Sequence, residues 1–244
     1  TYMGYLLVCL IFFALPSTIL SQETRGVGVK LKDESGQEEY VSLYKGSYAL
    51  LIGAANYNAG WPMLESIPGE LERVERVLKT RGFHVTKIID PDSKELKAGY
   101  ADFINNYGLV EDNRLLFFFS GHGYTRKKGK KGYLVPIDAP DPEMDEIGFL
   151  KKALGMNHIL SWARDIEAKH ALFLFDSCFS GTVFKQKGRI SPPKHITQLT
   201  TEPVRQFITA GSAGEEVPAN SVFTPAFING LLYGLADLNR DGYV

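Results

Sequence analysis

The sequence predicts an α/β protein, a three-layer α/β/α sandwich around a mainly parallel sheet. Three observations carry this. Short unbroken apolar runs recur at 48–53 (YALLIG), 115–119 (LLFFF) and 171–175 (ALFLF), and such runs suit strands buried on both faces. Stretches with apolar residues at helical spacing lie between them, so strands and helices alternate, as a parallel sheet requires. Two of the runs end in polar and glycine residues, at the strand ends where open α/β sheets place their ligands.

Composition sets the bounds. At 244 residues, 44% hydrophobic and 23% charged, the chain fits one domain with a large core. A net charge of −1 gives no electrostatic case for nucleic acid. The two cysteines, Cys9 and Cys178, leave no disulfide framework within the chain. No Cys/His spacing suited to a metal occurs, and no internal repeat.

The elements follow in order. Residues 5–15 (YLLVCLIFFAL) are an unbroken apolar run, too short for a comfortable membrane span. With Ser21 following, residues 1–21 read as a secretory signal peptide, which implies a secreted or periplasmic protein with no stable membrane span once the leader is removed. An uncleaved membrane anchor is the alternative. Residues 22–46 alternate polar and apolar side chains around Ser35-Gly36, an N-terminal extension with one or two edge strands.

Residues 48–53 are the first central strand, and 54–61 a loop containing Asn56-Tyr57-Asn58. A helix over 65–81 follows, with Ile67, Leu71, Val74 and Leu78 on one face and Gly82 as its stop. Residues 83–89 are the next strand, ended by Asp90-Pro91. Ser93 caps a helix to Tyr107 whose inner face is Leu96, Tyr100, Phe103 and Tyr107. The basic stretch 126–132 (RKKGKKG) is a solvated hairpin tip, or a site open to a protease of basic specificity. A short strand at 132–138 precedes a variable segment, and a helix over 157–169 leads into the run at 171–175. His158 and His170 read as surface or helix-end residues. Residues 182–203 are an exposed linker, 204–211 a last core strand, and Thr224-Pro225 starts a final helix to about Leu235, with threonine as N-cap and proline at the first helical position.

Chemistry collects at two strand ends. The run 115–119 ends in Ser120-Gly121-His122-Gly123, and 171–175 ends in Asp176-Ser177-Cys178-Phe179-Ser180-Gly181. A lone cysteine is commonly an inert small hydrophobe, and a histidine between glycines is commonly a turn residue. If the two strands are neighbours, thiol and imidazole come within reach as a pair in which the ring takes the thiol proton and later protonates a leaving group.

These residues carry a family resemblance. LLFFFSGHGY followed some 55 residues later by ALFLFDSCFSG resembles the caspase-like cysteine peptidases, and is closer to metacaspases and their bacterial relatives than to animal caspases. The match runs from about Tyr48 to the C-terminus. It implies the caspase–haemoglobinase fold and a catalytic domain over 47–244, with a processing site in the 182–203 linker. It implies cysteine endopeptidase activity on peptide or protein substrates, with His122 and Cys178 as the catalytic pair and the N–H groups of Gly123 and Cys178 as the oxyanion hole. A flavodoxin-like fold would use the same element pattern but leaves the His/Cys pair without a purpose.

The resemblance also implies a specificity pocket. Metacaspases bind Arg or Lys at P1 through the aspartate two residues before the nucleophile, the serine of Ser-Gly-His-Gly, and an acid near the start of the first helix. The matching residues are Asp176, Ser120 and Glu70, where the family usually has aspartate; a solvent-facing helix glutamate is the other reading of Glu70. An unpaired Asp176 carboxylate would be costly to bury, and a cationic side chain would pair with it. The expectation is cleavage after Arg or Lys, with self-processing at basic residues such as Lys185, Lys187 and Arg189. No cofactor is required.

Calcium is a separate expectation. Several metacaspases use a group of aspartates, one of them shortly after the nucleophile, where this sequence has Phe184 and Lys185. Asp237, Asn239 and Asp241 match the first half of an EF-hand loop, D-x-N-x-D-G; a polar turn ending the last helix is the plainer reading. The rival functions are a legumain- or gingipain-like peptidase with another P1 preference, and a catalytically silent caspase-like interaction module.

Overall fold

The main sheet has five strands, all parallel, in the order β10–β9–β5–β3–β4. They are β3 (Gly46–Gly53), β4 (His84–Ile89), β5 (Asn113–Ser120), β9 (His170–Asp176) and β10 (Val204–Thr209). The three apolar runs are thus the three inner strands, as their lack of alternation required. This computed structural model describes residues 28–32, 38–126, 131–177, 203–211 and 221–237. The expected leader at 1–21, Cys178, the basic residues 127–130 and the linker 182–202 lie outside the described residues.

Side chains of the inner strands alternate between two cores. Leu50, Ile52, Leu115, Phe117, Phe119, Phe173 and Phe175 face one side, where α2 (Ser93–Tyr107) and α4 (Met156–Asp165) supply Leu96, Tyr100, Phe103, Ile159 and Ala163. Ala49, Leu51, Leu116, Phe118 and Leu174 face the other, against Ile67, Leu71, Val74 and Leu78 of α1 (Ile67–Thr80) and Ile228 of α5 (Phe223–Tyr233). Helices on both faces make this the expected three-layer α/β sandwich. Residues outside the main sheet form two small ones. β1 (Gly28–Lys32) pairs antiparallel with β2 (Glu38–Ser42), so the N-terminal strands form their own hairpin rather than an edge of the main sheet. β6 (Gly123–Arg126), β7 (Lys131–Leu134) and β8 (Leu154–Gly155) form the second.

Several local expectations are corrected. The cap of α2 is Asp92, not Ser93: its carboxylate accepts the N–H groups of Lys94 and Glu95, and Glu95 returns a bond to the Asp92 N–H, a full capping box. α4 stops at Asp165, four residues early: the N–H groups of Glu167, Ala168 and Lys169 go to the Gly108 and Glu111 carbonyls instead of continuing the helix, and Arg205 of β10 donates to the Ala163 and Ile166 carbonyls at its C-terminal end. A short helix, α3 (Glu146–Lys152), occupies the segment read as variable, with Asp145 as its cap. β10 is an edge strand whose residues are alternately exposed, not a core strand. His170 opens β9 and bonds the Tyr44 hydroxyl, so it is not a free surface residue. Among the described residues no helix is long and apolar enough to cross a membrane.

Candidate active site

The parallel register decides what the strand ends bring together. Gly53, Ser120 and Asp176 are partners across β3, β5 and β9. A further rung follows, since the Gly121 N–H donates to the Asp176 carbonyl at 3.3 Å and the Ala54 N–H to the Ser120 carbonyl at 2.9 Å. His122 therefore stands two residues beyond the last rung of β5, and Cys178 is two residues beyond that of β9 in sequence. Cys178 itself lies outside the described residues.

His122 is held by the loop after β3. Its backbone N–H donates to the Tyr57 hydroxyl at 2.7 Å, and that hydroxyl donates to the Val135 carbonyl at 3.1 Å. Its ring lies between Tyr57 and Trp61, with centroids 4.7 and 5.2 Å away. Trp61 is anchored in turn by its Nε1–H to the Ala139 carbonyl at 3.0 Å. The His122 Nε2 is 2.8 Å from the Pro62 carbonyl oxygen. A carbonyl only accepts, so Nε2 carries the hydrogen and Nδ1 is left as the basic nitrogen. Burial lowers the His122 pKa and outweighs the Pro62 bond, which raises it. Gly121 is required by close approach: a Cβ there would lie 2.8 Å from the Tyr57 hydroxyl and 3.2 Å from the Ala54 Cβ.

A pair of buried acids sits beside this point. Glu70, in the first turn of α1, is 5% exposed, so it is not the solvent-facing helix glutamate of the alternative reading. Its Oε2 has no hydrogen-bond partner. Burial, and then the charge of Asp176, raise the Glu70 pKa against the opposing Arg73 charge and a Ser66 hydrogen bond. Asp176 is also buried, but not unpaired as expected. Its Oδ2 accepts from the Thr224 hydroxyl at 2.6 Å and from the Ser221 hydroxyl. Ser120 is buried at the same level, as is Ser177, whose Oγ lacks a partner.

The assignment of Thr224 as an N-cap is corrected by the same contact. α5 begins after Val222, Ser221 Oγ accepts the Thr224 N–H at 2.9 Å in the manner of a cap, and the fully buried Thr224 side chain serves Asp176. Sequence reasoning also passed over Tyr57, Trp61 and Pro62 as individual residues. The Asn-Tyr-Asn segment pointed to the loop, but the bonds it makes cross 65 positions of sequence and have no local pattern.

Among the described residues no group of three His, Cys, Asp or Glu side chains could hold a metal ion. Asp237 lies just beyond α5, while Asn239 and Asp241 lie outside the described residues.

A family model described as "Caspase domain" matches residues 47–235, from β3 to just past α5. No curated protein matches. A solved structure of a structural-genomics protein from Geobacter sulfurreducens is similar at 14% identity and a TM-score of 0.39, over 82% of this chain and 67% of that one.

Proposed function

The chain belongs to the caspase-domain family of cysteine peptidases, and on that footing we propose that it is a cysteine endopeptidase that cleaves after Arg or Lys. His122 and Cys178 are the catalytic pair in this reading. The observation that supports it most is the Ser120–Asp176 register, which sets the two strand ends carrying them on adjacent parallel strands at one level.

The chemistry follows from elementary constraints. A free thiol, with a pKa of about 8.5, is only a few per cent ionised at neutral pH. The Nδ1 of His122, left basic by the Pro62 bond, takes the Cys178 proton. The thiolate attacks the peptide carbonyl carbon, and the oxyanion is met by the N–H groups of Gly123 and Cys178. The C–N bond then breaks as the imidazolium returns its proton to the departing amine, leaving a thioester. Water, deprotonated by the same ring, attacks the thioester and releases acid and thiol.

The basic preference rests on the acid pair. Glu70 presents a buried oxygen without a partner beside the Asp176 charge. A buried acid with one oxygen left unbonded is costly, and a guanidinium or ammonium group would relieve it. Ser120 lines the same level and completes the proposed pocket. The basic residues Lys185, Lys187 and Arg189 would be substrates of the same pocket, which makes self-processing an extension of the proposal.

The test is hydrolysis of fluorogenic peptides with Arg, Lys, Asp or Asn at P1, by the wild-type protein and by Cys178→Ala and His122→Ala. Turnover after Arg or Lys that both substitutions abolish is the expected result. Turnover after Asp or Asn would discard the acid pocket and keep the pair. No turnover, with a Cys178 inert to iodoacetamide, would favour a silent interaction module instead.

A further inference from the structure

Asp90, at the end of β4, has the only positive φ of a non-glycine residue among the described residues, at 52°. That left-handed conformation is one that aspartate and asparagine tolerate better than most. It turns the chain back across the end of β3. The Asp90 N–H donates to the Gly53 carbonyl at 2.7 Å, and its carboxylate Oδ1 accepts the N–H groups of Ala55 at 2.7 Å and Asn56 at 2.9 Å. The other oxygen, Oδ2, accepts from the Asn56 side-chain amide. Burial works against ionisation here, yet these N–H bonds outweigh it and hold the Asp90 pKa below the usual carboxylate value.

The residues that Asp90 grips form the root of the loop that holds His122. Ala55 is fixed on both sides: its N–H goes to Asp90, and its carbonyl accepts the Leu64 N–H at 3.0 Å. Between those anchors lie Tyr57, Trp61 and Pro62, which make every contact to His122 described above. Tyr57 follows Asn56 directly, and burial together with the Asp90 charge keeps its phenol protonated, against the opposing His122 N–H bond. Its hydroxyl can thus donate to Val135 while it accepts from His122.

We propose that Asp90 is a positioning residue for His122: its carboxylate staples the root of the 54–64 loop and so fixes the imidazole between Tyr57, Trp61 and the Pro62 carbonyl. The proposal rests on the reading of His122 as the catalytic base. Asp90 itself bonds Gly53, Ala55 and Asn56 and not the ring. Its loss acts on the orientation and hydration of the ring, and leaves the pocket acids Glu70 and Asp176 in place. A displacement of about 1 Å in a catalytic group can cost on the order of 100-fold in rate.

Asp90→Ala and Asp90→Asn, made in the full chain, test this with two readouts. The first is steady-state turnover of an Arg-P1 peptide, where Asp90→Ala should lower kcat roughly 10- to 100-fold with KM changed less than about twofold. Asp90→Asn, which keeps one acceptor oxygen but turns an amide N–H₂ toward the Asn56 amide, should fall between. The second is the NMR titration of His122 in a Cys178→Ser background, in a chain with only five histidines. There the His122 pKa should rise toward the ordinary value of about 6.5 as the ring becomes hydrated.

Ile159→Val, a core change in α4, serves as the stability control and should lower Tm without moving that titration. An unmoved His122 titration and unchanged kcat in both Asp90 variants would overturn the proposal. So would a titration shift no larger than that of Ile159→Val. If Asp90→Ala does not fold, Asp90→Asn carries the same comparison. A shifted His122 titration in a chain that cleaves no peptide would uphold the positioning role and reject the peptidase reading.

Discussion

Ser120 and Asp176 are register partners on adjacent parallel strands, and each stands two residues before the side chain that the sequence singled out. Equal offsets from one rung are what the proposed pairing of the two motifs rests on. A shift of a single residue in that pairing would reverse the faces of β9 and bury Leu172 and Leu174 in the wrong core.

Glu70 offers a trade between stability and function. Its pKa is raised by burial and by Asp176, so its ionisation is penalised in the folded chain alone. Stability from the neutral form is present below the unfolded pKa and is lost as pH rises through the higher folded value. Glu70→Gln should therefore raise Tm at pH 7 by about 2–4 °C for each kcal/mol of penalty removed. The same change should raise KM for Arg-P1 peptides about 10-fold or more. Calorimetry and steady-state kinetics check the pair; a lower Tm would mean that the carboxylate is not strained.

Asp176 depends on two hydroxyls contributed from beyond the linker. Removing them together, in Ser221→Ala/Thr224→Val, deprives a buried carboxylate of bonds worth about 1.5–3 kcal/mol each. The expected result is a kcat/KM for Arg-P1 peptides lowered at least 10-fold, chiefly through KM. The rate of Cys178 alkylation by iodoacetamide should stay within about twofold of wild type. A changed alkylation rate would place the effect at the nucleophile instead.

His122 should titrate below the ordinary histidine value, because burial disfavours its charged form more than the Pro62 bond favours it. The sign for stability is that of a depressed base: its contribution is full above about pH 6.5 and is lost as pH falls through the folded value. Trp61→Ala opens one side of the ring and should move the titration upward. Histidine NMR in Cys178→Ser reads both, and a downward shift in Trp61→Ala would contradict the role given to burial.

Tyr57→Phe removes one oxygen that serves two partners. The His122 N–H loses its acceptor and the Val135 carbonyl its donor. Leaving such groups unsatisfied costs about 1–3 kcal/mol, so urea unfolding should show a loss in that range. Turnover should fall mostly in kcat, since the ring rather than the pocket is disturbed.

Much of this was legible in the chain. The inner strands declared themselves by unbroken apolar runs, and α1 by Ile67, Leu71, Val74 and Leu78, all buried as spaced. The Asp92 cap could have been read too, since Glu95 three residues on selects it over Ser93. Other features had no local signature. Thr224 followed by proline fits an N-cap, and only its distance to Asp176 shows another use. β10 looks like a core strand because Val204 and Ile208 are apolar, yet at the sheet edge they are 36% and 47% exposed. The end of α4 is set by partners far away in sequence, the Gly108 and Glu111 carbonyls and the Arg205 side chain, which no periodicity within the helix could reveal.

The contacts of β10 and α5 reach back across the stretch 178–202 to the body of the protein. β10 pairs with β9 along six residues, Thr224 and Ser221 bond Asp176, and Arg81 of the α1 end donates to the Leu231 carbonyl of α5. These contacts, none of which uses residues 178–202, hold the two parts together alongside the backbone. A chain cut there should behave as two polypeptides that co-elute, and two halves produced separately should reassemble by fragment complementation. Asp176 would then be a site completed in trans, on one piece by sequence and on the other by its hydroxyl donors.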